Sequence, residues 1–110
     1  QRERGSPKDP TFKMGKAYLA AVRQRQGRFE EARSLYHEAL GHMESIRGNG
    51  HLEVIRLTER VGDMELAAGD RARAKALYGQ ALAAAEQAGI ADRPQVQKIA
   101  RSYATLSNSG

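Results

Sequence analysis

Apolar side chains recur along this chain at steps of three and four, in five blocks separated by glycine-containing breaks. The clearest block is Phe29, Ala32, Leu35, Tyr36, Ala39, Leu40, Met43 and Ile46, which a helical period places on one face. Glu30 and Glu31 stand in its first turn, where the helix dipole favours negative charge. Before it, the pattern from Thr11 to about Gln26 (Phe12, Met14, Tyr18, Leu19, Ala21, Val22) predicts a first helix, with Asp9 as N-cap, Pro10 in the first turn and Gly27 at the end. Arg47-Gly48-Asn49-Gly50 breaks the second helix. A third is predicted from about His51 to Ala67, with Val54, Leu57, Val61 and Met64 inward. Gly69-Asp70 turns the chain into a fourth, carrying Ala74, Leu77, Tyr78, Ala81, Leu82 and Ala85 and fading at Gln87-Ala88-Gly89. Asp92 as N-cap with Gln95 three residues on starts a fifth, with Val96, Ile99, Ala100, Tyr103 and Leu106 on one face. No strand is predicted.

The second and fourth blocks are versions of one another. Gly27 to Leu40 and Gly69 to Leu82 align without a gap at an offset of 42 residues, and six of fourteen positions are identical. The shared residues are Gly27/Gly69, Ala32/Ala74, Leu35/Leu77, Tyr36/Tyr78, Ala39/Ala81 and Leu40/Leu82. A fixed period of this length marks a stacked repeat, in which each unit buries its apolar face against the next. The predicted organisation is a basic leader over residues 1–8, a helical repeat domain over 9–106 and a tail over 107–110. Within the domain, the repeats occupy about 9–47 and 51–89, and a capping or half-repeat helix covers 93–106.

Composition changes this picture little. The chain has 110 residues, no Cys and no Trp, so Ala and Leu carry the packing and thiol chemistry is absent. It does not begin with Met, which is read as a piece of something longer. No apolar run approaches the roughly 20 residues that span a bilayer. The net charge of +5 resides in residues 1–25, with seven Lys/Arg against Glu3 and Asp9, while the remainder balances at eleven of each sign. Without a basic face interleaved with aromatics, that charge does not point to nucleic acid.

The residues at the turns and inner faces resemble tetratricopeptide repeats. Leu19-Ala20, Gly27, Phe29, Ala32, Tyr36 and Ala39-Leu40 match the family pattern in the first unit, and Val61-Gly62, Gly69, Ala74, Tyr78 and Ala81-Leu82 match it in the second. Val96, Ile99-Ala100 and Tyr103 are similar to the first half of a third. Arg71 departs from the pattern where an aromatic is usual, as do Lys16 and Thr58, and no Pro closes either unit. The 42-residue spacing exceeds the usual value of roughly 34 and resembles the long-helix variety of kinesin light chains and many bacterial regulators and scaffolds. GNGHLEV and ADRPQV are similar to its linkers. The resemblance implies an all-α fold of antiparallel helical hairpins in a right-handed solenoid, two repeats plus a fifth helix.

It also implies a groove formed by the first helices of the units, at Met14, Ala17, Ala21, Gln24 and Arg25, then Arg56, Glu59, Asp63, Leu66 and Ala67, then Gln97, Arg101 and Ala104. The family members that capture acidic chaperone tails carry Lys and Asn where Ala17 and Ala21 stand, so that clamp is absent. The helix-packing stripes leave Arg56, Glu59, Asp63 and Arg101 without a structural task, and Arg25 joins them in the groove. They are the candidate partner-binding residues, with Arg56, Glu59, Asp63 and Arg101 expected to be exposed and dispensable for folding.

Other motifs read more plainly. Tyr36 and Tyr78 lie on packing faces and are expected in the core, each hydroxyl reaching a partner at an edge. His37 and His42 are five apart and share no face, Glu38 and His42 suit a surface contact, and no metal site is expected. Gly48-Asn49-Gly50 lacks the Lys-Ser/Thr of a phosphate loop and reads as a linker. No nucleophile-base pair or carboxylate pair is spaced for catalysis, so neither enzyme activity nor a cofactor is expected.

The function expected is a cytoplasmic, bacterial protein-interaction module that docks a peptide or helix, itself a monomer or weak dimer without nucleic-acid or membrane partners. The alternatives are a structural spacer or oligomerisation segment and the regulatory arm of a bacterial transcription regulator. If the alignment is correct, Ala74 allows close helix approach. Ala74→Leu should then cost roughly 1–3 kcal/mol in a denaturant titration, whereas an unchanged midpoint would place the residue on the surface.

Overall fold

In the computed structural model, residues 10–48 and 50–109 are described. The leader 1–8, the Asp9 cap, Asn49, Gly110 and the side chains of Phe12 and Met14 lie outside the described residues. The chain runs through α1 (Pro10–Arg25), α2 (Phe29–Arg47), α3 (Leu52–Ala67), α4 (Arg71–Ala88) and α5 (Pro94–Ser109), with no strand among the described residues. Each helix packs on the next in sequence, and α5 also reaches α3. Two hairpins, α1/α2 and α3/α4, therefore stack with a fifth helix against the second.

The breaks work as the glycines predict. Gly27, Gly69 and Gly89 all have positive φ, between 75° and 91°, where a side chain would be strained. Each allows the same closure. The amide after the glycine donates back across the turn, Arg28 to Arg23 O at 2.8 Å, Asp70 to Glu65 O at 2.8 Å and Ile90 to Ala85 O at 2.9 Å. At the other ends, Asp70 Oδ1 accepts from the Arg73 amide at 3.0 Å and His51 Nδ1 from the Glu53 amide at 3.1 Å, capping α4 and α3.

Two boundaries differ from expectation. Pro94 takes the first position of α5, where its missing N–H costs no bond, and the Arg93 carbonyl accepts the first helical bonds. The cap position thus falls on Arg93 and not on Asp92. The helix then runs to Ser109, so 107–109 are helical and not tail.

Packing divides into two clusters that meet at α3. Ala20, Ala32, Tyr36, Ala39 and Leu40 of the first hairpin close on Val54, Leu57, Val61 and Met64. Ala74, Tyr78, Ala81 and Ala85 close with Ile55, Val96, Ile99 and Leu106. Ala74 and Ala32 have no solvent exposure, as the repeat alignment requires. Gly62 explains how the second hairpin approaches so closely. A Cβ there would lie 2.8 Å from the Tyr78 ring. At the last junction Tyr103 lies against Gly79, with the Lys75 ammonium 5.7 Å above its ring. The stripe of α2 ends earlier than its pattern: Ile46 is 53 % exposed.

α3 is buried on a second face that the apolar pattern does not mark. Ile55, Thr58, Gly62 and Glu65 lie there, and Thr58 Oγ1 donates to the Val54 carbonyl at 2.8 Å. Glu65 is 1 % exposed and is held by both arms of the Arg33 guanidinium, Nε at 2.6 Å and the second nitrogen at 2.7 Å. The Glu65 carboxylate raises the Arg33 pKa above its ordinary value, with Glu30 adding to it against the opposing effect of burial. This bidentate pair ties the second helix of one unit to the first helix of the next.

Removing one partner strands the other charge. Arg33→Ala should cost about 3 kcal/mol in urea unfolding, the lower end for a broken buried pair because Arg33 keeps some contact with water. A loss within about 0.5 kcal/mol would mean that solvent satisfies Glu65 unaided.

Candidate functional site

The first helices of the two hairpins leave a pair of clefts between them, floored by α2. One, of about 210 Å³, is walled by Ala17 of α1 and Arg56, Leu57 and Arg60 of α3 over Ala39 and Met43. The other, of about 220 Å³, is walled by Ala21, Gln24 and Arg25 of α1 and Arg60 and Asp63 of α3 over Tyr36. Arg60 lines both, so the two clefts adjoin along α3 and together make the groove between α1 and α3. The ring of Tyr36 is buried and its hydroxyl lies 3.5 Å from Gln24 Oε1.

Why α3 presents these residues follows from its two buried faces. Its exposed positions are Glu53, Arg56, Arg60, Asp63, Leu66 and Ala67. The line 53, 56, 60, 63, 67 advances by three and four, so it is a single stripe along the helix. Arg56 and Arg60 are one turn apart, about 6 Å along the axis at a rise of about 1.5 Å per residue.

Of the five candidate residues, the structure brings three to this groove. Arg25, Arg56 and Asp63 line it and are exposed. Arg101 is exposed on α5 but lines neither cleft. Glu59 corrects the expectation of exposure. It is 9 % exposed and turned toward α5, where Lys98 Nζ approaches its carboxylate at 3.5 Å. Asp63 corrects the expectation that these charges have no structural task, since it accepts a hydrogen bond from the Tyr78 hydroxyl. Burial and that bond together raise the Tyr78 pKa above its ordinary value. Arg60 was missed by the sequence reading, although its i, i+4 relation to Arg56 on a polar stripe is a signal for it.

The remaining polar motifs are structural or exposed. Glu38 pairs with Lys16 at 2.8 Å and not with His42, and His51 serves as the α3 cap. A larger cleft of about 400 Å³ between α3 and α4 shares no residue with the groove. It is lined by four alanines, by Gly50, Val54, Ile55 and Thr58, and by Glu44, Gln80 and Gln87, and the Thr58 hydroxyl is already bonded to its own helix.

A family model described as tetratricopeptide repeat matches residues 13–87. The chain belongs to the tetratricopeptide-repeat family. No curated protein matches it. The family match spans both hairpins, while α5 lies beyond it and joins the stack through Val96, Ile99 and Leu106. Tetratricopeptide repeats are non-catalytic scaffolds for protein–protein interaction. Among the described residues, no helix is long and apolar enough to cross a membrane.

The groove charges should divide by their partners. Asp63→Ala removes the acceptor of a buried hydroxyl and should lower stability by about 1–3 kcal/mol. Arg56→Ala and Arg60→Ala should each stay within about 0.5 kcal/mol. Thermal melts of the three variants check this, and equal losses would mean that the arginines also hold the fold.

Proposed function

We propose that this domain docks a peptide or helix of a partner protein in the groove between α1 and α3. The observation that carries the reading is the exposed stripe of α3. It faces small residues of α1, Ala17 and Ala21, across clefts with room for side chains, and its arginines Arg56 and Arg60 have no hydrogen bond or ion pair among the described residues. Long charged side chains without an internal task at a concave surface suit recognition better than stability. The 42-residue period supports placing the domain with the long-helix variety of its family.

A second reading, a spacer within a longer stack, is favoured by one feature. Leu19 occupies the repeat position of Val61, yet it is 38 % exposed where Val61 is fully buried. Tyr18 beside it is 68 % exposed. The outer face of α1 therefore carries apolar surface of the kind that repeat stacking covers.

The two readings separate in a pull-down followed by mass spectrometry. Groove docking predicts that Arg25→Ala/Arg56→Ala/Arg60→Ala loses the captured proteins while Leu19→Asp keeps them. The spacer reading predicts the reverse, and retention of the same proteins by the triple variant would reject groove docking.

A further inference from the structure

A second concavity opens between the second helices of the two hairpins and shares no residue with the groove. Glu44 of α2 stands on one wall and Gln80, Ala83 and Gln87 of α4 on the other, over a floor that includes Val54 and Ile55. Its volume of about 400 Å³ is that of a ligand pocket, for which roughly 300–1,000 Å³ is usual. The floor is buried, whereas Gln80, Ala83 and Gln87 are exposed along the rim.

The charge of this cleft is one-sided. Among the described residues, Glu44 is the only charged group lining it, and its half-buried carboxylate has no ion pair or hydrogen bond. Arg47, three residues further along α2, is turned to Glu53 at 3.2 Å instead. On the opposite wall, the last turn of α4 carries no basic residue, so the partial negative charge of that helix end is uncompensated as well. The start of α3 bears the opposite partial charge, which the His51 cap and Glu53 in the first turn already answer. A cation entering the cleft would give Glu44 a counter-charge where apolar walls partly exclude water.

Independently of the groove reading, we infer that this cleft takes a basic side chain, a lysine carried on a segment of a partner protein. The aliphatic stem lies over Val54, Ile55 and the alanines of α4, while the ammonium meets Glu44. Gln80 and Gln87 are seven residues apart, which places them two turns from one another on one face of α4. Each amide offers donors and an acceptor, the two functions that the peptide groups of a docked segment require. A free alkylamine uses the acid alone and leaves both rim amides idle. A nucleic acid brings only negative charge to a cleft whose one charge is negative.

The test follows the isotope-labelled whole chain by NMR during titration with three short peptides, identical except for a central Lys, norleucine or Glu, and with pentylamine. The Lys peptide should shift the amides of Gly50, Ala83 and Gln87 in a saturable way. It should bind about tenfold tighter than the norleucine peptide, with the difference shrinking as salt is added, and tighter than pentylamine, while the Glu peptide should not bind. Glu44→Gln should erase the preference for Lys over norleucine, and Ala83→Trp, at an exposed position, should fill the cleft and abolish the shifts, both with unchanged thermal melts. Arg56→Glu/Arg60→Glu, in the groove, should leave Lys-peptide binding as it was. Equal binding of the Lys and norleucine peptides, or a Lys preference that survives Glu44→Gln, would overturn the assignment of a cation to this cleft. Pentylamine binding as tightly as the Lys peptide would overturn the partner segment. Shifts confined to Ala17, Arg56 and Asp63 would place the peptide in the groove, overturning this site and leaving the groove reading intact.

Discussion

A helix in the middle of a stack must bury two faces at once, and α3 is that helix. The first hairpin covers Val54, Leu57, Val61 and Met64; Ile55 packs with residues of α4 and α5, Gly62 lies against Tyr78, and Glu65 is held by Arg33 of α2. What remains for solvent is one narrow stripe. Both the two clusters of the core and the wall of the groove are consequences of this arrangement, since a helix covered on one side only would have spread its polar residues over a broad surface with no concavity.

Covering the second face requires solutions other than apolar bulk. Gly62 removes a side chain so that the Tyr78 ring can lie against the helix backbone. Thr58 folds its hydroxyl onto its own helix, and Glu65 enters because Arg33 comes with it. An ion pair of this kind adds little net stability relative to well-packed apolar residues. It does penalise wrong registers between units, because any slip along α2 separates two desolvated charges. The equivalent place at the next junction is filled differently, by Lys75 over Tyr103, so each junction of the stack has its own polar marker.

The same economy shapes the groove. Asp63 stands at its edge and accepts the hydroxyl of a core tyrosine, which makes one residue both a lining group and a structural one. The guanidinium groups around it serve no such second purpose. Under the groove docking proposed above, Asp63 would serve packing while the arginines would serve recognition, and ligand preference could then vary through the arginines without touching the core.

The apolar spacing and the glycines determined by themselves where the helices run, how the two units align at 42 residues and which small residues face inward, because those properties depend on period and on local backbone geometry. Ala32, Ala74, Tyr36 and Tyr78 were all legible as core on that basis. The tertiary structure alone decided the fate of the charged residues. Glu59 and Arg60 are neighbours on a polar stretch of α3, yet one turns toward Lys98 and the other lines the groove. They point about 100° apart around the helix, and Lys98 of α5 stands on the side that Glu59 takes. Glu65 is likewise indistinguishable from a surface glutamate until Arg33, 32 residues away, is brought within 2.6 Å. Burial of a charge is a property of the pair, and the pair exists only after the helices have packed.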